Sequence, residues 1–301
     1  MKKVVVTGGS GFIGSHIVDA LVDDGYDVHI VDNLHAGNKE NINSKAVFHN
    51  VDIRDYDKLV DIFKDAEYVF HEAALPQVQY SMENPIETND VNVNGTINVL
   101  EACRMNKVKR LIFASSSAVY GDQDVMPIKE GVHEKPLSPY GAHKYIGEVH
   151  CALYSRVYNV ETVMLRYFNV YGPRQNSRGA YASVVARFVD LKKNGEPLTV
   201  VGDGNQIRSY VHVRDVARAN ILAMKSVNVG KGEYINIASH DEHSVNDIAR
   251  LIGGDMVYVE PRIEPKISSA DIQKAKDLIS WEPSISLSDG LVELKKYNNI
   301  I

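Results

Sequence analysis

Short apolar runs alternate with helical patterns along the first half of the chain. The apolar runs are rich in Val, Ile and Phe, and they predict strands at residues 4–6, 27–31, 47–49, 68–70, 110–114 and 161–165. The stretches between them predict helices at 15–24, 56–63, 91–105 and 139–158. Strands that lack polar alternation are typical of a sheet covered by helices on both faces. The pattern therefore predicts an α/β fold with a doubly wound parallel sheet of the Rossmann type.

The alternation weakens beyond residue 166, where turn signals such as Gly172-Pro173 and Gly253-Gly254 separate shorter segments. We interpret this part as a smaller α/β domain that binds the substrate. We place the first domain at residues 1–166 and the second mainly at 167–301, with a segment at about 205–230 returning to the first. Since no Gly/Ser-rich or Pro-rich linker separates the halves, we expect them to pack together with a ligand between them.

The composition is that of a folded globular protein, because 44% of the 301 residues are hydrophobic and 24% are charged. The two cysteines, Cys103 and Cys151, form no C-x-x-C motif, which excludes a disulfide framework and a zinc ribbon and indicates a reducing, cytoplasmic compartment. No apolar run approaches the roughly 18 residues of a membrane helix. Gly8 and Gly9 end the first apolar run too early for a signal peptide.

Charge and histidine spacing exclude two further classes of function. The formal net charge of −6 disfavours a nucleic-acid surface, which needs clustered Lys and Arg. The one basic cluster, at 104–110, follows the end of a predicted helix, and we interpret its side chains, Arg110 included, as a solvated last turn. None of the eleven histidines has the spacing of metal ligands, so we predict no metal. We interpret His143 as an exposed helix residue.

A glycine-rich turn follows the first predicted strand and precedes the first helix. Gly9, Gly11 and Gly14 satisfy G-x-G-x-x-G, and Gly8 begins G-x-x-G-x-x-G. Glycines at these places allow a tight turn and let the backbone approach a pyrophosphate at the helix N-terminus. The second strand is followed by Asp32, a carboxylate at the distance that binds adenosine ribose hydroxyls and repels a 2′-phosphate. The turn predicts a dinucleotide site that favours NAD over NADP; a purely structural turn is the alternative.

Tyr140 and Lys144 are four residues apart, on one face of a predicted helix. An ammonium group near a phenol lowers the pKa of the phenol, and such a tyrosine can take a proton from a substrate hydroxyl. A run of three serines, residues 115–117, follows a predicted strand at the edge where open α/β sheets bind ligands. A serine hydroxyl there can hydrogen-bond the reacting oxygen. An ordinary surface helix and a polar turn are the alternatives for the two motifs.

Together these motifs resemble the extended short-chain dehydrogenase/reductase family, and more narrowly the nucleotide-sugar epimerases of the UDP-glucose/UDP-N-acetylglucosamine 4-epimerase type. The resemblance covers essentially the whole chain and includes further motifs at 71–74, 92–96, 166–174 and 208–216. It implies NAD as the cofactor and a UDP-sugar as the substrate. It also implies a homodimer formed through the helices that contain residues 92–105 and 139–158.

The resemblance further implies which residues form the site. The catalytic residues are Ser116, Tyr140 and Lys144. The residues that line the NAD site are Gly8, Gly11, Phe12, Ile13, Asp32, Asn33, Gly37, Asp52, Ile53, Ala73, Asn92, Tyr140, Lys144 and Tyr167. The residues that contact the UDP-sugar are Ser116, Ser117, Tyr140, Asn169, Val184, Phe188, Thr199, Arg208, Arg262 and Ser268. The chain departs from the family pattern after Arg262, where the usual glycine is missing and the role of Glu264 is open.

The implied reaction is epimerisation at C4 of the sugar. Tyr140, assisted by Ser116, takes the 4-hydroxyl proton while hydride passes to tightly bound NAD, and the 4-keto sugar is then reduced on its other face. Nucleotide-sugar dehydratases and decarboxylases usually carry a carboxylate after the catalytic serine, where this chain has Ser117 and Ala118. These enzymes, and a non-catalytic NAD-binding protein, are the alternatives. Ser268 matches a position that admits 2-acetamido sugars when small, which favours UDP-GlcNAc and UDP-GalNAc over UDP-Glc and UDP-Gal alone.

Overall fold

A parallel sheet of seven strands forms the centre of the computed structural model, which describes residues 1–176, 183–261 and 266–300. The strands of the protein are β1 (Lys3–Thr7), β2 (Asp27–Val31), β3 (Val47–His49), β4 (Ala66–His71), β5 (Arg110–Ser116), β6 (Glu161–Tyr167), β7 (Val170–Tyr171), β8 (Leu198–Val201), β9 (Ile207–Ser209), β10 (Val211–His212), β11 (Lys231–Ile237), β12 (Glu242–Ser244), β13 (Met256–Val259) and β14 (Ile267–Ser268). The large sheet has the order β3-β2-β1-β4-β5-β6-β11.

The helices lie between these strands. They are α1 (Phe12–Asp23), α2 (Tyr56–Ile62), α3 (Val78–Glu83), α4 (Pro85–Asn89), α5 (Gly95–Met105), α6 (Pro139–Tyr158), α7 (Val184–Lys193), α8 (Val213–Lys225), α9 (Val245–Ile252), α10 (Gln273–Ile279) and α11 (Leu287–Tyr297). Short 3-10 helices span Lys39–Asn41 and Ser117–Val119, and a π-helical turn spans Asp90–Asn94. The strands of the first half and the helices α1, α2 and α6 lie close to where the apolar pattern predicts them. Helices α3 and α4 were not predicted, and the regular α-helix α5 begins only at Gly95, after the π-helical turn.

Hydrophobic side chains cover both faces of the large sheet, as the first strand illustrates. Val4 and Val6 belong to a core cluster on one face, together with apolar residues of α1 and α8. Val5 belongs to a second cluster on the other face, with apolar residues of α2, α5 and α6. Successive side chains of a strand point to opposite faces, so a run of valines packs both layers of helices at once. The predicted Rossmann-type α/β fold is confirmed.

Local sequence sets both ends of α6, the helix that carries Tyr140. The Ser138 hydroxyl accepts a hydrogen bond from the Gly141 amide at 3.1 Å, and Pro139 stands in the first turn, where its missing N–H costs nothing. The helix ends at Asn159, which has the left-handed conformation (φ 56°) that closes many helices. Tyr140 is therefore fixed in the first turn of a well-capped helix.

The second half of the chain contributes to two cores. Strands β7 and β10 pair, β9 lies between β12 and β14, and β8 pairs with β13. Residues of α7, β8, α9 and α11 form a third apolar cluster around Phe188. Helix α8, however, packs on α1, and β11 pairs with β6, so residues 213–237 join the large sheet. The division into domains at 1–166 and 167–301, with a returning segment, stays our proposal.

The side chain of Arg110 corrects one interpretation from the sequence. Arg110 is buried rather than solvated, and its guanidinium donates to the carbonyl oxygens of Ala223, Met224, Ser226 and Val229. These carbonyls lie at and after the end of α8, where helix geometry leaves carbonyl oxygens without partners. Arg110 therefore joins β5 to the returning segment. Within the ranges that the structure describes, we find no helix with the length and apolar character of a transmembrane span.

Candidate active site

The glycine-rich turn places two glycines against other backbone atoms. Gly8 has φ +70°, and a Cβ atom there would lie 2.6 Å from the Ala73 amide nitrogen. A Cβ atom on Gly14 would lie 2.2 Å from the Gly8 carbonyl oxygen. Helix α1 then begins at Phe12 without a side-chain cap, so its first amides remain available to an anion. The turn has the shape that a pyrophosphate requires, and it brings Gly8, Ala73 and Phe12 to one place.

Asp32 lies beside this turn, at the end of β2. Its carboxylate accepts hydrogen bonds from the amides of Ser10, at 3.0 Å, and Leu34, at 2.8 Å. Burial raises the pKa of Asp32, and these two amides oppose that shift. A Cβ atom on Gly37 would lie 2.9 Å from both carboxylate oxygens, so the predicted residues Asp32 and Gly37 meet. The Ser10 hydroxyl, which the sequence did not single out, is buried there without a hydrogen-bond partner in the described part of the chain.

An ion-pair cluster follows β3. Asn33 donates to Asp52 at 2.8 Å, and Arg54 donates to both oxygens of Asp52, at 2.9 and 2.8 Å. The Arg54 guanidinium also bonds Asp90 at 3.1 Å and holds the pKa of Asp52 at about 2. The structure thus brings the predicted residues Asn33 and Asp52 together. It adds Arg54, whose only signal in the sequence is its place two residues after Asp52. The predicted residue Ile53 is buried between them.

A chain of hydrogen bonds supports the loop after β4. The Thr7 hydroxyl lies 2.7 Å from His71 Nδ1, and His71 Nε2 lies 3.0 Å from the Thr96 hydroxyl. Thr96 itself donates to the carbonyl oxygen of Asn92, so the neutral ring donates from Nε2 and accepts at Nδ1. Burial lowers the pKa of His71 to about 3, which keeps the ring neutral. The Asn92 side chain accepts from the Leu75 amide at 2.8 Å and thereby fixes the loop that carries Ala73.

The three predicted catalytic residues come together at the end of β5. Ser116 lies close enough to Tyr140 for its hydroxyl to lower the pKa of the phenol. Lys144 donates from Nζ to the Ala114 carbonyl oxygen at 2.6 Å, and Nζ lies 6.0 Å from the centroid of the Tyr140 ring. Burial lowers the pKa of Lys144. The predicted lowering of the Tyr140 pKa is wrong for this state, because burial dominates and raises it to about 12 against the effect of Ser116.

A carboxylate that the sequence did not identify as a site residue lies at the same place. Glu72 accepts a hydrogen bond from the Tyr167 hydroxyl at 2.9 Å, and Tyr167 accepts one from Asn220 Nδ2 at 2.8 Å. Burial raises the pKa of Glu72, and its charge acts on Tyr140 and Lys144. Tyr167, predicted at the NAD site, is therefore next to the predicted catalytic residues.

His143, one residue before Lys144, corrects another interpretation. It is 6% exposed rather than open to solvent. Its place on α6 turns it inward with Lys144, and burial lowers its pKa. Across the described ranges, no three His, Cys, Asp or Glu side chains are placed to hold a metal ion.

The residues predicted to hold the UDP-sugar lie on the second half of the chain and at the end of β5. Ser117 begins a 3-10 turn after Ser116, and Asn169 donates to the Ser209 carbonyl oxygen at 3.0 Å. Arg208 on β9 and Ser268 on β14 are paired across neighbouring strands. Of the other predicted residues, Val184 and Phe188 lie on α7 and Thr199 lies on β8. Arg262 and Glu264 lie outside the described residues. Phe188 is fully buried and Val184 is half-buried, one helical turn away.

Comparison with known proteins identifies the family of the chain. The sequence profile of the NAD dependent epimerase/dehydratase family matches residues 4–238. A putative UDP-glucose 4-epimerase of Methanocaldococcus jannaschii is 46% identical over 310 residues, which cover 98% of this chain and 99% of that one. UDP-glucuronic acid decarboxylase 1 of Xenopus tropicalis is also related, at 34% identity over 96% of this chain and 70% of its own.

Two solved structures are similar over nearly the whole chain. UDP-glucose 4-epimerase of Thermotoga maritima, solved with UDP-glucose, has a TM-score of 0.95 and 40% identity and covers 99% of this chain and 98% of its own. UDP-N-acetylglucosamine 4-epimerase of Methanobrevibacter ruminantium, solved with UDP-N-acetylmuramic acid, has a TM-score of 0.94 and 40% identity and covers 98% and 97%.

Proposed function

Because the chain belongs to the NAD dependent epimerase/dehydratase family, we propose that it epimerises a UDP-hexose at C4, with UDP-GlcNAc and UDP-GalNAc as the preferred pair and UDP-Glc and UDP-Gal as further substrates. Membership confirms the predicted resemblance to the extended short-chain dehydrogenase/reductase family and NAD as the cofactor. The observation that carries the proposal is the meeting of Ser116 and Tyr140 beside the buried Lys144, whose Nζ lies 6.0 Å from the centroid of the Tyr140 ring.

The residues around the glycine-rich turn fit NAD. The amides at the start of α1 suit the pyrophosphate, and the Asp32 carboxylate suits the ribose hydroxyls of the adenosine half. The buried Ser10 hydroxyl beside Asp32 offers a further polar contact. When bound, NAD supplies the hydride acceptor and donor that the reaction needs.

The residues at the end of β5 handle the proton of the 4-hydroxyl group. We infer that Ser116 and Tyr140 bind this hydroxyl and that its proton passes to Tyr140 and later returns. Tyr140 must ionise to accept it, which burial makes costly. The Ser116 hydroxyl, which lowers the pKa of Tyr140, and the ammonium group of Lys144 are the groups that favour the phenolate.

A UDP-glucuronate decarboxylase is the second candidate, because such enzymes are relatives at 34% identity. By the family resemblance, decarboxylases carry a glutamate where this chain has Ala118. The Ala118 carbonyl oxygen lies against Gly141, so a Cβ atom on Gly141 would approach it to 2.5 Å. The absence of a carboxylate at Ala118 favours epimerisation.

The small side chain at position 268 supports acetamido sugars as substrates. Ser268 is paired with Arg208, a residue proposed to hold the diphosphate, so the two lie beside one another in the sheet. A serine there leaves room that a tyrosine would fill. An N-acetyl group at C2 is the substituent that this room would accommodate.

A homodimer is part of the proposal. Helix α6 exposes three apolar side chains at helical spacing, Ile146, Val149 and Val157, and α5 exposes Met105 at its end. Packing these helices against the same helices of a second copy would cover the apolar side chains. Sedimentation at micromolar concentration tests this, since Val149→Glu should convert a dimer to a monomer.

Product analysis tests the activity. The purified protein is incubated with UDP-GlcNAc, UDP-Glc and UDP-glucuronate in turn, and products are identified by proton NMR. We expect C4 epimers of the first two and no loss of carbon dioxide from the third. A pentose or 4-keto-6-deoxy product would overturn the proposal. Tyr140→Phe should retain NAD and lose turnover, and near-full activity of that variant would refute the role of Tyr140.

A further inference from the structure

The reaction proposed above uses Ser116, Tyr140 and Lys144 and leaves one titratable group at the same place without a role. Glu72 directly follows β4, the strand next to β5 in the large sheet. Its carboxylate accepts the hydrogen bond of Tyr167 at 2.9 Å. Tyr167 is in turn held by Asn220 Nδ2 at 2.8 Å, so α8 and β6 together fix the position of the carboxylate.

The charge of Glu72 reaches both members of the catalytic pair. His71 pairs with Phe113 across β4 and β5, so Glu72, the next residue, stands beside Ala114, whose carbonyl oxygen accepts the hydrogen bond of Lys144. The charge of Glu72 acts on both Lys144 and Tyr140. The titratable groups that act on Glu72 are Tyr167 from β6 and Lys144 from α6, and Glu72 acts in turn on Tyr140 from α6. On β4 itself, the neighbouring His71 bonds Thr7 and Thr96 and remains neutral. Glu72 is thus an anion close to Lys144, and Glu148 from α6 acts on Lys144 in the same direction.

We propose that Glu72 is a positioning residue for the catalytic pair, whose negative charge keeps Lys144 protonated and thereby sets the alkaline limit of activity. The inference rests on the proposed epimerase function. Its physical basis is that an anion in a desolvated site stabilises a nearby ammonium group and disfavours a nearby phenolate. Glu72 does not touch the reacting hydroxyl in this account and acts only through its neighbours.

The sign of the effect follows from the two interactions. The carboxylate raises the pKa of Lys144 against the lowering that burial causes, and it also raises the pKa of Tyr140. Replacing it by a neutral amide therefore lowers both. Lys144 then loses its proton at a lower pH, and Tyr140 ionises at a lower pH. Both changes appear above the pH at which Glu72 itself ionises.

The test compares the wild-type protein with Glu72→Gln, which keeps an oxygen that can accept the hydrogen bond of Tyr167. We expect the alkaline limb of the kcat profile to move to lower pH by about one unit, a usual effect of one nearby charge. The ionisation midpoint of Tyr140, followed by phenolate absorbance and assigned by Tyr140→Phe, should move in the same direction. Glu72→Asp keeps the charge and should leave both values near wild type. Glu196→Gln, at an exposed glutamate, is the matched control.

Several outcomes would overturn the proposal. If Glu72→Gln folds and has a lower kcat while the alkaline limb of its pH profile does not move, Glu72 contributes packing and its charge has no role. An equal shift in Glu72→Asp would show that charge is not the cause. Glu72→Asn carries the same expectation if Glu72→Gln is unstable. A wild-type protein that turns over no UDP-sugar refutes the epimerase function alone, because the Tyr140 midpoint still tests Glu72 in the resting protein.

Discussion

Lys144 donates a 2.6 Å hydrogen bond to the carbonyl oxygen of Ala114, and this bond fixes its ammonium group 6.0 Å from the centroid of the Tyr140 ring. The hydrogen bond therefore joins the C-terminal end of β5 to the first turns of α6, at the point where the proposed chemistry takes place. The charge is held by the strand, so it stays beside the phenol whether or not the phenol is ionised.

Replacing Lys144 by Met should remove this charge while keeping most of the buried stem. We expect kcat to fall at least about 100-fold, the usual contribution of a group that supports proton transfer. Turnover of UDP-GlcNAc by protein with bound NAD is the measurement. Lys193→Met, at an exposed lysine on α7, should stay within about twofold of wild type. A Lys144→Met protein that keeps a tenth of the activity would contradict the assignment.

Gly37→Ala should weaken NAD binding. A Cβ atom at this position would lie 2.9 Å from both oxygens of Asp32, so the carboxylate or the loop has to move. We expect the Kd for NAD to rise about tenfold, equivalent to about 1.4 kcal/mol. Calorimetry on cofactor-free protein measures it, with His35→Ala in the same loop as the control. Equal affinities of Gly37→Ala and wild type would show that Asp32 does not bind the cofactor.

Ser268→Tyr should change substrate preference rather than overall activity. Since Ser268 is paired with Arg208, added bulk would project beside the proposed diphosphate site. We expect kcat/KM for UDP-GlcNAc to fall about 100-fold relative to UDP-Glc, the scale of a steric rejection. Ser268→Ala is the control and should keep both substrates. Equal losses on the two substrates would remove position 268 from the specificity argument.

Glu148→Ala should destabilise the fold through Arg166. The Arg166 side chain is fully buried, and Glu148 on α6 accepts two of its hydrogen bonds, at 2.8 and 2.6 Å. Removing the carboxylate leaves a buried cation with Glu134 as its remaining ion-pair partner in the described chain. We expect the free energy of unfolding to fall by about 3–5 kcal/mol, measured with urea. Lys64→Ala removes the exposed pair with Asp61 and should cost under about 1 kcal/mol.

The large sheet was predictable because burial on both faces leaves a direct mark on the sequence. The runs of valine in β1 and of apolar residues in β5 have no polar alternation, and glycines mark the turn into α1. The prediction that Ser116, Tyr140 and Lys144 lie together has a related basis, because the serine run ends β5 and the Tyr-x-x-x-Lys motif lies at the start of α6. Hydrophobic periodicity and the spacing of residues within a motif are properties of one segment, so they can be read directly from the sequence.

The residues that escaped prediction depend on distances between segments. Arg54 gains its role from Asp52 and from Asp90, which is 36 residues away. Arg110 looked like a surface residue because its carbonyl partners lie more than 100 residues later in the chain. Glu72 and Tyr167 are 95 residues apart, and the sequence around either residue does not indicate that the two are hydrogen-bonded. Such pairs appear only when the chain is folded.

The route of the chain through β11 has a consequence for how the protein can be made. The edge strand β11 of the large sheet consists of residues 231–237. Arg110 on β5 donates its hydrogen bonds to carbonyl oxygens at residues 223–229, which are also synthesised later than β5. A nascent chain that has left the ribosome only as far as β6 exposes that strand as an open edge with its hydrogen-bonding groups unpaired. The seven-stranded sheet is therefore completed only after the residues between β6 and β11 have been synthesised.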